Sequence, residues 1–124
     1  MSVDQIAKGF TEFYYNAFDT NRAGLAPLYR DMSMLTYEDK QFTGVQNIVG
    51  HLAALPFQRI KHVITKCDAQ PSHPTNGSIL ITVMGQLQFD DSPAPMNFVQ
   101  TFHLYPEGGG NYFVFNDIFR LVLH

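Results

Sequence analysis

The stretch SILITVMGQLQF, residues 78–89, decides the fold class of this chain. Its apolar residues alternate with a period of two, which is typical of a β-strand. One side of that strand carries Ile79, Ile81, Val83 and Leu87, and the other side carries Leu80 and Met84. Since both sides are apolar, we expect a sheet that is covered on both faces.

The same alternation recurs near residues 59–68, 96–105 and 111–123, which predicts further long antiparallel strands. Asn76-Gly77 and the glycine triplet at 108–110 interrupt them where hairpin connections need positive φ. In the last strand the alternation divides eight apolar residues between the two faces. We expect Phe113, Phe115, Phe119 and Leu121 on one face, and Tyr112, Val114, Ile118 and Val122 on the other.

Upstream of these strands the apolar residues follow helical spacing. In residues 3–18 they recur at steps of three and four, which predicts an amphipathic helix. Ser2 with Gln5 fits a capping box at its start, and polar residues at 19–21 should end it. A short helical piece is expected at 25–29.

The next part of the chain predicts a strand followed by another helix. Residues 33–38 have strand character, with a turn at 39–40. Thr43 with Gln46 fits a second capping box, and the apolar spacing in 45–55 predicts a helix that the following proline stops.

Helices first and strands afterwards indicate an α+β domain in which a curved antiparallel sheet wraps around the N-terminal helices. The helices can cover only one face of that sheet, although both faces are apolar. We therefore expect a second copy of the chain to cover the other face in a homodimer. A length of 124 residues falls within the range of one domain, 1–124.

The composition argues against several classes of protein. Lys and Arg number 8 against 11 Asp and Glu, a net charge of -3, and no cluster of basic residues offers a surface to nucleic acid. The single cysteine cannot form an internal disulfide, and no apolar run is long enough to span a bilayer. The first residues lack a secretory signal, so we expect a soluble intracellular protein without a cofactor.

No catalytic or metal-binding motif is evident in the sequence. The histidines lack the short spacings of zinc sites; they are His51, His62, His73, His103 and His124. Cys67 is expected to be a buried or half-buried strand residue. The best catalytic set is Asp117 with Tyr14 or Tyr15. An enzyme that used it would need a carboxylate deep in a pocket and a partner that binds an oxyanion.

Several separated blocks of the sequence resemble the nuclear transport factor 2 family over essentially the whole chain. The blocks are FTEFYY (10–15), FDTNR (18–22), LTYE (35–38), LPFQ (55–58), DAQP (68–71), GQL (85–87) and NDIFRL (116–121). Their order and spacing are specific in combination. The resemblance implies an NTF2-like, cystatin-like cone of bent sheet and helices that dimerises through its sheets and opens a hydrophobic cavity at its wide end.

In proteins similar to this one, Ran in its GDP form inserts an aromatic side chain into that cavity, and lysines of Ran meet acids on its rim. The resemblance assigns six apolar residues to the cavity, which are otherwise ordinary core positions: Tyr37, Leu55, Ile60, Met96, Ile118 and Phe119. It assigns Glu38, Asp90 and Asp91 to the rim, although by themselves these acids are ordinary solvated loop residues.

The resemblance therefore implies a non-catalytic carrier that shuttles between cytoplasm and nucleus and takes Ran-GDP through nuclear pores. Pore passage requires weak binding to phenylalanine-glycine repeats of nucleoporins, which the family places near the first helix. Val3 stands there in place of the aromatic residue of relatives. Further departures are Tyr37 where tryptophan is common, Ser92 where another acid occurs, and an extra residue within 93–95.

Two other functions remain open from the sequence. The same cone fold hosts ketosteroid isomerases and dehydratases, for which Asp117 and its tyrosines would be the site. Related domains also serve as dimerising scaffolds or RNA-export adaptors within longer chains.

Overall fold

The computed structural model describes residues 2–123. Over that range the helical elements are α1 (Val3–Thr20), a 3₁₀ segment (Arg22–Leu28) and α2 (Val45–Ala53). The strands are β1 (Tyr29–Tyr37), β2 (Lys40–Thr43), β3 (Ile60–Pro71), β4 (Ile79–Phe89), β5 (Met96–Gly108) and β6 (Asn111–Val122). They form one curled sheet in the order β2-β1-β6-β5-β4-β3. β1 runs parallel to β6, and the other neighbours are antiparallel. The α+β architecture predicted from the sequence is confirmed.

Helix α1 begins at its predicted residue because its cap is satisfied in both directions. The backbone N–H of Ser2 donates to Gln5 Oε1 (2.9 Å), and the N–H of Gln5 donates to Ser2 Oγ (3.1 Å). The buried stripe of the helix faces the concave side of the sheet and consists of Ala7, Thr11, Tyr14, Tyr15 and Phe18. No helix among residues 2–123 is long and apolar enough to cross a membrane.

The region between α1 and β3 departs from the prediction. β1 already begins at Tyr29, its turn lies at 38–39, and the unpredicted strand β2 pairs back onto β1. The predicted capping box of Thr43 with Gln46 is wrong, because Thr43 ends β2. Gly44, with φ of 91°, caps α2 without a side-chain hydrogen bond. A left-handed backbone at this junction favours glycine over the threonine that we predicted as the cap.

The sheet bends where β3 crosses a glycine of β4. A Cβ atom on Gly85 would lie 2.4 Å from the carbonyl oxygen of Val63, so no other residue fits there without a backbone shift. The pairing of β3 with β4 also shifts register between Ile64 and Lys66. A bulge of this kind bends the strand and increases its twist. Both features help the sheet to curl around α1.

The predicted division of β6 into two faces is wrong for the residues that precede a register shift in its pairing with β5. Phe115 is an extra residue between two β6 positions that pair with consecutive residues of β5. Such an insertion moves all following side chains to the opposite face. Val114 and Phe119 therefore both join the core, whereas Phe113 is buried outside the core cluster. Phe113 and Phe115 do not share a face with Phe119 and Leu121.

The convex face of the sheet, which the helices leave uncovered, carries apolar side chains. We call this surface the outer apolar face; it comprises Met34, Val63, Met84, Ile118 and Val122, all of them exposed in the single chain. Five such residues on neighbouring strands are more than the scattered exposure that a soluble surface normally shows.

Candidate functional site

The end of β1, the end of α2 and the start of β3 meet at one end of the core. Just inside them lies a cavity of about 10 Å³, enough for about one water molecule. Its walls are mostly aromatic and aliphatic. They are formed by Tyr14, Phe18, Leu35, Tyr37, Leu52, Ile60, His62, Leu87, Gln100 and Phe119.

Stacked rings form the outer wall of the cavity. Tyr37 lies parallel to Phe119 with ring centres 4.7 Å apart and an interplanar angle of 13°. His51 meets Tyr37 edge-on at 4.9 Å and stacks on Phe42 at 4.3 Å. Burial raises the pKa of Tyr37 to about 12; the charge of Glu38 adds to this rise and that of Arg22 opposes it. The Tyr37 phenol is therefore neutral at physiological pH.

Two acids beside this wall have an unusual backbone. Among residues 2–123, Glu38 (φ 56°) and Asp90 (φ 51°) are the non-glycine residues with positive φ. Left-handed backbone at such residues is uncommon and concentrates at functional sites. The Glu38 carboxylate accepts a hydrogen bond from the backbone N–H of Leu121 through Oε1. Both the backbone and one carboxylate oxygen of Glu38 are therefore held in place.

Asp90 is held in a similar way, whereas its neighbour is not. Its Oδ1 accepts hydrogen bonds from the backbone N–H groups of Gln58 and Arg59, each at 3.0 Å. Its own N–H donates to the carbonyl of Arg59 (2.7 Å). Asp91 is almost fully exposed and contacts the Arg59 guanidinium at 3.1 Å. Exposed ion pairs of this kind contribute little to stability.

The structure brings together most, but not all, of the apolar residues that the resemblance assigns to the cavity. Ile60 lines it together with Tyr37 and Phe119. Leu55 and Met96 are partly buried and pack against the core. Ile118 instead lies on the outer apolar face, where 50% of it is exposed. Its side chain does not line the cavity, because strand alternation points it away from its neighbour Phe119.

Behind the cavity lies a buried polar network around Asp117. The carboxylate accepts hydrogen bonds from the Tyr29 hydroxyl (2.7 Å), the Gln100 amide (2.8 Å) and, at 3.4 Å, the Tyr14 hydroxyl. The Tyr15 hydroxyl donates to Gln100 Oε1 at 2.7 Å. Sequence reasoning paired Asp117 with Tyr14 and Tyr15 but missed Tyr29 and Gln100. The missed signal for Gln100 is the inward alternation of β5.

The network is enclosed rather than open to a substrate. Burial raises the pKa of Asp117 to about 6, while the hydrogen bonds from Gln100, Tyr29 and Tyr14 lower it. Asp117 is 1% exposed, and the adjoining cavity holds no more than about one water molecule. In the described part of the chain, no three His, Cys, Asp or Glu side chains gather into a potential metal site.

A larger groove runs between α1 and β3. It has a volume of about 580 Å³ and is lined by Asp4, Ala7, Lys8, Thr11, Glu12, Tyr15, Ile64, Cys67, Asp68 and Ala69. Cys67 was expected to be buried or half-buried, but it is exposed, because it lines the open groove between α1 and β3. Val3 precedes the first groove residue, and its side chain packs partly against the core.

A curled sheet around two helices, with an aromatic cavity and fixed acids at one end, defines a cone-shaped α+β binding domain. Residues 6–121 match the family described as the nuclear transport factor 2 (NTF2) domain. The chain therefore belongs to the nuclear transport factor 2 domain family. This match confirms the resemblance found in the sequence blocks.

Individual relatives agree with this membership. The chain is 54% identical over 117 residues to a nuclear transport factor 2 of Emericella nidulans, covering 94% of this chain and 93% of that protein. A solved structure of nuclear transport factor 2 from Cryptosporidium parvum superposes with a TM-score of 0.90 and 46% identity, covering 97% and 94% of the two chains. These relatives are named as transport factors.

The same fold also occurs in more distant proteins. A putative dehydratase from Streptomyces avermitilis superposes with a TM-score of 0.80 but only 14% identity, over 98% of this chain and 96% of that one. Similarity at that level shows a shared fold and carries no inference about activity.

Proposed function

We propose that this protein is a nuclear transport carrier that binds Ran-GDP and phenylalanine-glycine repeats and moves Ran-GDP from the cytoplasm through nuclear pores into the nucleus. The relatives at about half identity support the carrier role by their names. The observation that carries the Ran-binding part is the pair of fixed acids, Glu38 and Asp90, beside an aromatic cavity. Residues 1–124 would act as one domain.

Each rim acid has one carboxylate oxygen bound to the chain and can turn the other toward a partner. A positively charged partner then meets carboxylates that are already in position, which favours register and association rate. Asp91 is almost fully exposed and would add long-range attraction that salt screens. A non-polar ring entering the cavity would contribute about 1.5 to 3 kcal/mol through burial.

The cavity must widen for that ring to enter. A volume of about 10 Å³ accommodates roughly one water molecule, and an aromatic side chain is much larger. Tyr37 lines the cavity, and the segment 54–59 joins two further lining residues, Leu52 and Ile60, so a shift of Tyr37 or of that segment would open the site. Leu55 and Met96, at the edge of the core, would contact the entering ring after this shift.

Selectivity for the GDP form would depend on the conformation of Ran. If GTP moves the aromatic switch segment of Ran out of reach, the carrier binds the GDP form preferentially, and nucleotide exchange in the nucleus releases it. The carrier itself performs no reaction in this scheme. The isomerase or dehydratase alternative is disfavoured, because Asp117 is enclosed and already accepts hydrogen bonds from three side chains.

Two further surfaces complete the proposal. The outer apolar face, including Ile118, would be covered by a second copy of the chain in a homodimer. The start of α1 at Val3, with the adjoining groove, would bind nucleoporin repeats. Valine offers less contact area than an aromatic residue, so this binding should be weak.

The proposed function is tested by a pull-down experiment. Pure Ran, loaded with either GDP or GTP, is passed over the immobilised protein, and the Ran that is retained is measured. Retention of Ran-GDP alone is the expected result. Equal retention of both forms, or of neither, would contradict the proposal. A parallel incubation with a model ketosteroid should leave the substrate unchanged.

A further inference from the structure

The segment 54–59, which joins the cavity residues Leu52 and Ile60, has no regular hydrogen-bonded secondary structure of its own. Its first residue, Ala54, caps the C-terminus of α2, and its N–H donates to carbonyl groups of the helix. Its last residues are fixed by Asp90, which binds the N–H groups of Gln58 and Arg59. The middle of the segment depends on side chains from elsewhere in the chain.

Arg22 supplies that middle attachment. Its Nη2 donates a hydrogen bond of 2.8 Å to the backbone carbonyl of Phe57, which lies 35 residues away in the sequence. The Phe57 ring packs on Phe89 with centres 4.7 Å apart. Arg22 belongs to the 3₁₀ segment, so this hydrogen bond joins that segment to the segment 54–59.

Two observations indicate that Arg22 does more than stabilise the fold. Its Nη1 is fully buried and has no hydrogen-bond partner among residues 2–123, an arrangement that costs free energy. Its charge also reaches Tyr37, the opposite boundary of the cavity, where it opposes the rise in the tyrosine pKa. Arg22 therefore interacts both with the segment 54–59 and with Tyr37 of the cavity wall.

We infer that Arg22 is a positioning residue for the Ran-GDP site: its bond to the Phe57 carbonyl holds the segment 54–59 in the conformation that binds. This inference rests on the proposed function. Without that bond, the hydrogen bonds that hold the segment within residues 2–123 lie near its two ends, and the partner must order its middle on binding. Ordering a loose segment lowers affinity even when every contact is finally made.

The test uses two variants with different donors at position 22. Arg22→Gln shortens the side chain and removes the bond, so Ran-GDP should bind about tenfold more weakly. Arg22→Lys keeps a positively charged donor on a long side chain at this position, so its affinity should stay within about threefold of the wild-type value. Arg120→Gln is the matched control: it also removes one positive charge, but Arg120 contacts exposed Asp39 and not the segment 54–59.

Hydrogen exchange of the free proteins separates positioning from loss of charge. In Arg22→Gln the amides of segment 54–59 should exchange at least several times faster, while those of β4 and β5 keep their wild-type rates. Unchanged exchange or unchanged affinity in a folded Arg22→Gln would overturn the inference. If Arg22→Gln does not fold, Arg22→Lys decides: wild-type protection of the segment supports the inference and lost protection contradicts it. Failure of the wild-type protein to bind Ran-GDP would instead contradict the proposed function.

Discussion

At the scale of single residues, the carboxyl groups of this protein fall into two kinds. Glu38 and Asp90 have left-handed backbone, and each has a carboxylate oxygen that accepts hydrogen bonds from backbone N–H groups. Asp117 is enclosed in the core and bound by Tyr29 and Gln100. The first kind can meet a charged partner, and the second kind couples the stability of the fold to pH.

Asp117 should make the protein less stable as the pH rises. Its pKa in the folded protein is about 6, above the ordinary value of 3.8, so the folded state binds more protons than the unfolded state between these values. The contribution of Asp117 to the free energy of unfolding should therefore fall between about pH 4 and pH 6, by at most about 3 kcal/mol. Urea unfolding of wild type and Asp117→Asn across this range measures the effect.

Asp117→Asn cannot titrate, so the stability difference between the two proteins should change across this window and level off on either side. Since the acids outside this network are present in both proteins, their contributions cancel in that difference. A difference that stays constant from pH 4 to pH 7 would contradict the assignment.

At the scale of elements, β-strand pairing depends on a few positions where the alternation breaks. Gly85→Ala should destabilise the fold by about 2 to 4 kcal/mol, because the new Cβ would lie 2.4 Å from the Val63 carbonyl oxygen. Gly9→Ala, in α1, is the control, since a Cβ there meets nothing within 4 Å and alanine favours the helix. Thermal unfolding of both variants tests this; equal melting temperatures would contradict the close approach.

The first helix carries the prediction for nucleoporin binding. Val3→Trp should tighten the binding of a labelled phenylalanine-glycine repeat peptide by roughly fivefold, or about 1 kcal/mol, through added stacking area. Titration of the peptide into both proteins is the measurement. Unchanged affinity would place the repeat site away from Val3.

The periodic elements could be predicted from sequence. The features that could not be predicted depend on contacts between residues that are distant in sequence. The apolar stripe of α1 and its Ser2 cap were sufficient, because each acts within a few residues. The bulge at Phe115 could not be found from alternation, because it depends on pairing with β5. Similarly, Glu38 and Asp90 were assigned by resemblance, whereas their fixed carboxylates require contacts with Leu121 and Arg59, distant in sequence.

At the scale of the whole molecule, the curled sheet separates two surfaces with different roles. Its concave side encloses the core and the cavity, and its convex side is the outer apolar face. Ile118 and Phe119 are adjacent in sequence but lie on opposite sides of the sheet. A change on the convex side should therefore alter assembly while leaving the cavity intact.

Sedimentation equilibrium at micromolar concentration should give twice the chain mass of 14.1 kDa. Ile118→Glu should give a monomer, because it places a charge within the outer apolar face. Phe13→Glu is the control, since Phe13 is similarly exposed (54% against 50%) but lies on α1. A monomeric wild-type protein, or a dimeric Ile118→Glu variant, would contradict the proposed dimer.

The central claim is that fixed acids beside the cavity bind Ran-GDP, and calorimetric titration with Glu38→Lys tests it most directly. Reversing this charge should weaken Ran-GDP binding by at least about a hundredfold, or roughly 3 kcal/mol, since the lysine faces the cations of Ran. Asp39→Lys is the control, because the neighbouring Asp39 is 91% exposed and pairs with Arg120. Circular dichroism should show that both variants fold. The account predicts normal binding by Asp39→Lys and no measurable binding by Glu38→Lys; equal binding by both would contradict it.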